Sequence, residues 1–306
     1  MVQIYVFGSS NTDMVVKSEK LPGPGETVIG HTFLMNPGGK GANQAVAAAR
    51  LGGSVTLVAK VGNDLFGKQA LQQFQREMIN TTFVTIDPDH PSGVALIYVD
   101  KKGENSISVA PGSNGFLKKT DVETLFKVNK PESIALFQLE IPIDTVEYAI
   151  ERCYQQQIKV ILNPAPAQEI KKEIYKHLYV ITPNETEAEL LTGIRVQDDA
   201  SVERAAKKLF EFGVENVVIT LGAKGVFLYN ESTSDFIRAP AVTAIDTTAA
   251  GDCFNGALAV ALAEKLPLKQ ALSFACKAAS ISVTRMGAQS SLPYRKEVNE
   301  LQFVFS

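Results

Sequence analysis

Residues 133–163 read SIALFQLEIPIDTVEYAIERCYQQQIKVILN, and this stretch decides the fold class. Ser133–Leu139 is a short apolar run with strand character, Ile143–Gln157 reads as a helix, and Lys159–Asn163 is apolar again and stops at Pro164. Strand, helix and strand joined by short connections form a βαβ unit, whose two strands lie parallel. Strands buried on both faces are near-continuously apolar instead of alternating, as these are.

The same rhythm extends in both directions. Toward the N-terminus lie a buried strand Ile4–Phe7, an Ala-rich helix Gly41–Leu51 stopped by Gly52-Gly53, a strand Val55–Val61 and an amphipathic helix Leu65–Met78. Toward the C-terminus come strands Tyr179–Thr182 and Val217–Thr220, helices Glu185–Thr192 and Val202–Phe212, and two Ala-rich helices over 251–264 and 268–284. The expected class is α/β: one unit spanning 1–306, a three-layer sandwich around a mostly parallel central sheet. Two stretches break the rhythm. Residues 12–35 hold β-prone segments around Pro22-Gly23-Pro24-Gly25, and 93–110 hold Gly93–Val99 and Asn105–Ala110 joined by Asp100-Lys101-Lys102-Gly103, a hairpin signal. They are expected to pair into a small separate sheet, a lid.

Composition excludes several classes. The chain has 306 residues, 45% hydrophobic and 21% charged, which is ordinary globular composition. A net charge of −3 argues against a nucleic-acid or polybasic membrane surface. The three cysteines (Cys153, Cys253, Cys276) include no C-x-x-C, so reduced thiols in a cytoplasmic protein are expected. His31, His90 and His177 are scattered, without metal-ligand spacing. No basic leader precedes Ile4–Phe7, so no signal peptide is read. The small-residue run Gly256–Ala263 stops at Glu264-Lys265, well short of the roughly 18 residues of a membrane span.

Four motifs carry chemistry. Asn36-Pro37-Gly38-Gly39-Lys40-Gly41-Ala42-Asn43-Gln44 is a Gly-rich turn opening a helix, whose free N–H groups suit an oxygen-rich ligand. It is not a Walker A loop, because Lys40 is followed by Gly41 and Leu34 stands where the first glycine should be. Ala244–Ala257 places small residues and Asp252 at a second helix start. There the amides of Ala249, Ala250, Gly251 and Asp252 could form an anion hole beside a carboxylate base, which is most of what phosphoryl transfer asks of a protein. Thr220-Leu221-Gly222-Ala223-Lys224-Gly225 joins two strands through a turn that lets a phosphate or a base approach the backbone. Asn184 and Glu187 have Asn-x-x-Glu spacing, which suits both a capping box and a phosphate and water-bound Mg²⁺ site. Asn11-Thr12-Asp13 and Glu140 follow strands, at the edge where open α/β sheets bind ligands. Cys253 reads as an inert packed thiol, and Gly8-Ser9-Ser10-Asn11 is not the dinucleotide fingerprint G-x-G-x-x-G.

In order along the chain, Gly38-Gly39-Lys40-Gly41-Ala42-Asn43-Gln44-Ala45, Asp246-Thr247-Thr248-Ala249-Ala250-Gly251-Asp252 and Val283–Pro293 resemble the signatures of the ribokinase/PfkB carbohydrate kinase family. The resemblance implies ATP-dependent phosphorylation of D-ribose at O5, with Asp252 as general base and Ala249, Ala250 and Gly251 as the anion hole. It implies ribose contacts at Asn11, Thr12, Asp13, Gly39, Lys40, Gly41, Ala42, Asn43, Glu140 and Asp252. ATP falls to Asn184, Thr220, Leu221, Gly222, Ala223, Lys224, Gly225, Gly251, Asp252 and, by register, Cys276. A K⁺ site is implied at Asp246, Thr248, Ser282, Arg285, Gly287 and Ser291, and Mg²⁺ is held indirectly by Glu187. Met286, where a polar residue would also fit, should point outward. A homodimer through the lid strands is implied as well. Kinases for 2-deoxyribose, another sugar or a nucleoside, and a non-catalytic sugar or nucleotide sensor, are the alternatives.

Overall fold

The computed structural model describes residues 2–128 and 132–300. The strands are β1 (Gln3–Phe7), β2 (Asn11–Lys17), β3 (Thr32–Gly38), β4 (Ser54–Gly62), β5 (Asn80–Asp87), β6 (Gly93–Val99), β7 (Asn105–Ala110), β8 (Ile134–Phe137), β9 (Lys159–Leu162), β10 (Val180–Ile181), β11 (Asn216–Thr220), β12 (Val226–Asn230) and β13 (Thr233–Ile237). The helices are α1 (Lys40–Arg50), α2 (Leu65–Arg76), α3 (Lys119–Phe126), α4 (Ile143–Gln155), α5 (Lys172–Tyr175), α6 (Glu185–Thr192), α7 (Asp199–Glu211), α8 (Ala250–Ala263), α9 (Leu268–Ser282) and α10 (Arg295–Glu300).

Nine strands form the main sheet in the order β13-β12-β11-β10-β9-β8-β1-β4-β5, all parallel except β12, which runs antiparallel to its neighbours β11 and β13. Successive side chains of a strand point to opposite faces, so each central strand feeds two cores. Ile4, Val6, Ile134, Leu136 and Ile161 pack on one face with α1, α8 and α9. Tyr5, Phe7, Ala135, Phe137, Val160 and Leu162 pack on the other with α3, α4 and α7. The expected three-layer sandwich is therefore present, and among the described residues no helix is long and apolar enough to cross a membrane.

The two excursions pair into a second sheet, β3-β2-β6-β7. Its first strands outrun the expected boundaries of 12–35, beginning at Asn11 and ending at Gly38. Asn36-Pro37-Gly38, read as turn, is strand: Asn11, Thr12 and Asp13 pair in register with Gly38, Pro37 and Asn36. The sequence-based reading had no strand at β5 or β13 and no helix at α3. Both strands lie at edges of the main sheet, where one side is open to solvent and an apolar run is not required.

Two glycines set the distance between α1 and its neighbours. A Cβ at Gly41 would lie 2.5 Å from the Ser9 nitrogen, and one at Gly256 would lie 2.7 Å from both the Ala47 Cβ and the Gln44 carbonyl oxygen. Glycine at these positions lets α1 press against the end of β1 and against α8, which brings residues 43, 44 and 252 together.

Candidate active site

The polar residues of the candidate site collect at the carboxyl ends of the parallel strands. Ser9 follows β1, Gln138 to Glu140 follow β8, Asn163 follows β9, Thr182 follows β10, and Thr220 ends β11. Helix α1 enters the same edge through Gly39, which caps it at φ +89°. Helix α8 enters through Ala249, held at φ +59°. A left-handed alanine costs about 1 kcal/mol, and such strain concentrates where the surrounding structure imposes a particular backbone shape.

Asp252 lies in the first turn of α8, only 6% exposed. Asn43 Nδ2 donates to its Oδ2 at 2.9 Å, and Gln44 Nε2 donates to its Oδ1 at 2.9 Å. Burial pushes its carboxyl above the usual range, while the Lys40 ammonium and the two amides pull it back down. The Lys40 main-chain N–H and the Ser9 hydroxyl both donate to Glu140 Oε2. Burial lowers the Lys40 ammonium, but the carboxylates of Asp252, Glu140, Glu187 and Asp13 together hold it above its ordinary value. Asp13 is pushed up to about 6 by burial, then by Glu140 and Asp252, against Lys40. The cluster thus sets Asp13, Glu140 and Asp252 around Lys40, with Glu187 within electrostatic reach.

Several residues of the expected site have contacts within the protein as well. By strand alternation Thr12 faces away from Asp13; it lines a cavity of about 330 Å³ against Phe66 and Gln69 of α2. Gly41 and Ala42 are buried in packing, with the Ala42 N–H donating to the Ser9 carbonyl. The Ala250 N–H already donates to the Thr247 carbonyl at 3.2 Å, so Gly251 and Asp252 are the better placed amides of the proposed hole. They sit in the first turn, where a helix supplies no acceptor for its own N–H groups. Leu221 packs its side chain into a core, which leaves its backbone for a ligand. Cys276 is buried in the other core, and burial pushes its thiol up to about 12. Cys253 is similarly buried and pushed up to about 12, as expected of an inert thiol.

Asn184 and Glu187 form a reciprocal capping box on α6. Asn184 also bridges to Thr220, so the Asn184–Glu187 segment and the 220–225 turn are neighbours. Asp246 ties two loops together, accepting from the Thr248 N–H at 2.9 Å and the Gly287 N–H at 2.8 Å. A carboxylate at the junction of two loops is a hard oxygen donor, the ligand type an alkali cation takes, although each of its oxygens already accepts an N–H. The side chains of Ser282, Arg285 and Ser291 turn elsewhere: to the Ala279 carbonyl, to Glu297 and to the Ala288 carbonyl. That leaves their main-chain oxygens for such an ion, and the Ser282 carbonyl already accepts the Arg285 N–H at 3.2 Å. Met286 is 54% exposed and points outward.

Sequence reasoning missed a layer of buried amides. Asn114 Nδ2 donates to the Ser10 carbonyl and to Asn11 Oδ1, while its Oδ1 accepts the Ser10 N–H. Gln138 donates to Gln44, Gln44 to Asn163, and Thr182 to Asn255, whose Nδ2 donates to the Gly251 carbonyl. One signal was present: Gln44 falls on the buried stripe of α1 with Gly41, Ala45 and Ala48, where an apolar residue would be routine.

The chain is similar to known proteins along nearly its whole length. The family model described as pfkB family carbohydrate kinase matches residues 1–295. A ribokinase of Haemophilus influenzae is 45% identical over 295 residues, 96% of each chain. A deoxyribokinase of Salmonella typhi is 37% identical over 300 residues, covering 98% of both. The crystal structure of a ribokinase from Thermotoga maritima superposes with a TM-score of 0.88 at 42% identity, covering 98% of both chains.

Proposed function

The chain belongs to the pfkB family of carbohydrate kinases, and from that premise we propose that it transfers the terminal phosphoryl group of ATP to O5 of D-ribose, giving D-ribose 5-phosphate and ADP. A single observation carries the residue assignment: Asp252 is a buried carboxylate with an amide donor on each oxygen, set at the first turn of a helix beside Lys40.

In this reading Asn11, Asp13, Lys40 and Glu140 grip the sugar hydroxyls. Asn11 Oδ1 is already occupied by Asn114, so the Asn11 amide presents N–H donors to the ligand. Asp252 accepts the O5 proton as the hydroxyl attacks. The Gly251 and Asp252 amides and the α8 dipole stabilise charge on the transferring group, and Lys40 adds a full positive charge. Asn184 and the 220–225 turn hold the nucleotide. Mg²⁺ bound with the nucleotide would neutralise phosphate charge. Glu187 fits that role through water, because a single carboxylate with phosphates is a common Mg²⁺ arrangement. K⁺ would sit at Asp246 and the carbonyls of the two loops it joins, fixing the entry to α8. The small sheet acts as a lid that keeps water from competing as acceptor, the whole chain is one unit, and the protein works in the cytoplasm as a homodimer.

Deoxyribose is the second reading, favoured by the identity to a deoxyribokinase. A coupled assay of ADP release across ribose, 2-deoxyribose, other pentoses, fructose and nucleosides, with and without K⁺, separates the two. Fastest turnover of ribose with K⁺ is expected. A preference for deoxyribose or a nucleoside would reassign the substrate, and binding without turnover of any sugar would make the protein a sensor.

A further inference from the structure

We propose that Gln44 is the positioning residue for Asp252, holding it in the one orientation and the one charge state in which it accepts a proton. This inference rests on the reading of Asp252 as the general base. Gln44 is fully buried, and its amide spends every bonding direction inside the protein. One N–H goes to Asp252 Oδ1 at 2.9 Å and the other to Asn163 Oδ1 at 3.0 Å, while its carbonyl oxygen accepts from Gln138 Nε2 at 2.6 Å.

The orientation of this amide is forced by its partners. An ionised carboxylate only accepts hydrogen bonds. Turning Gln44 over would set its carbonyl oxygen against Asp252 Oδ1 and Asn163 Oδ1, three acceptors with no proton among them. Of the two amides against Asp252, only Gln44 is pinned as a donor by further partners: the carbonyl oxygen of Asn43 has no hydrogen-bond partner among the described residues, so that amide is free to turn over. The Gln44 side of the pocket therefore favours the carboxylate and offsets part of the burial that pushes Asp252 up. The charged groups facing Asp252 are Lys40 from α1, which favours the carboxylate as the two amides do, and Glu140 beyond β8, Asp13 from β2 and Glu187 from α6, which oppose it. The amide chain Gln138–Gln44–Asn163 also links the ends of β8 and β9 to Asp252, so the base is referenced to the rigid sheet. Gly256 permits this contact by letting α8 approach the backbone of Gln44.

The test is Gln44→Met, close in volume and without donors, measured as pH profiles of kcat and of kcat/KM for the sugar. With the folded variant we expect kcat to fall roughly tenfold, the acid limb to move to higher pH, and KM for ATP to stay within twofold. A folded Gln44→Met with an unmoved acid limb and unchanged kcat overturns the proposal. If Gln44→Met does not fold, Asn163→Ala, which frees the far side of the Gln44 amide, is expected to move the limb in the same direction by less; an unmoved limb there overturns the proposal too. Asp252→Asn is assayed alongside. If it loses turnover while Gln44→Met behaves as wild type, only the positioning role fails. If it keeps turnover, the reading of Asp252 as base fails and takes Gln44 with it.

Discussion

Asp13 carries a cost in stability. Burial among like charges pushes its carboxyl up to about 6 from 3.8, so between those values the native state holds more protons than the unfolded chain. Stability contributed by the protonated form is then present at low pH and lost as pH rises through about 6. Removing the charge should relieve this. Asp13→Asn is expected to melt at higher temperature than wild type at pH 8, with the difference vanishing near pH 4, while KM for the sugar rises about tenfold or more because a charged acceptor is gone. Thermal melts at the two pH values and sugar titration of the rate check both halves. A lower melting temperature at pH 8 would mean that Asp13 is stabilised by its neighbours. Lys40, Asn43 and Asp252 were legible in the sequence because charged or amide residues stand there beside glycines at helix starts, and Asp13 because it follows the first strand at the sheet edge where ligands bind. Asn114, Gln138 and Asn163 were not, because their partners Asn11 and Gln44 lie 94 to 119 residues away in sequence and each alone looks like ordinary surface polarity.

At the scale of elements, the contact between α1 and α8 assembles the chemistry. Gly256 leaves no room for a methyl group against Ala47 and Gln44. Gly256→Ala should force the helices apart, destabilising the protein by about 1–3 kcal/mol, the usual cost of overpacking. It should also lower kcat, since the displacement separates Gln44 from Asp252; urea denaturation and steady-state rates read the two effects. Stability within about 0.5 kcal/mol of wild type and an unchanged kcat would show that the helices have slack. The βαβ rhythm was legible wherever strands are buried on both faces, as in Ile134–Phe137 and Lys159–Leu162. It faded at Asn80–Asp87 and Thr233–Ile237, edge strands rich in Thr, Ser and Asp. Their place is set by neighbours in the sheet, which no local pattern reports. The Gly-rich segment at 36–44 was half legible: the helix start was evident, and the strand character of Asn36–Gly38 was hidden by Pro37 and Gly38, because an edge strand tolerates both.

At the scale of the whole molecule, the two sheets have different surfaces. The main sheet is covered on both faces, while the small sheet leaves Phe33 60% exposed and Ile107 54% exposed, with Leu34, Met35, Leu96 and Val109 also outside. That is the surface a second copy would cover. Sedimentation should show a dimer, and the double variant Phe33→Lys with Ile107→Lys should sediment as a monomer; a monomeric wild type would remove the dimer. If the small sheet closes over the sugar, hydrogen exchange in 12–35 and 93–110 should slow on adding ribose, and unchanged exchange there would contradict a lid. The most direct measurement is a product analysis with Mg-ATP, K⁺ and D-ribose, run in parallel on wild type and Asp252→Asn. The account predicts ADP matched one for one by a phosphomonoester on O5 in wild type. It predicts at least about 10²-fold slower formation by Asp252→Asn, with ATP and ribose still bound. No phosphorylated sugar from wild type, or an unimpaired Asp252→Asn, would contradict it.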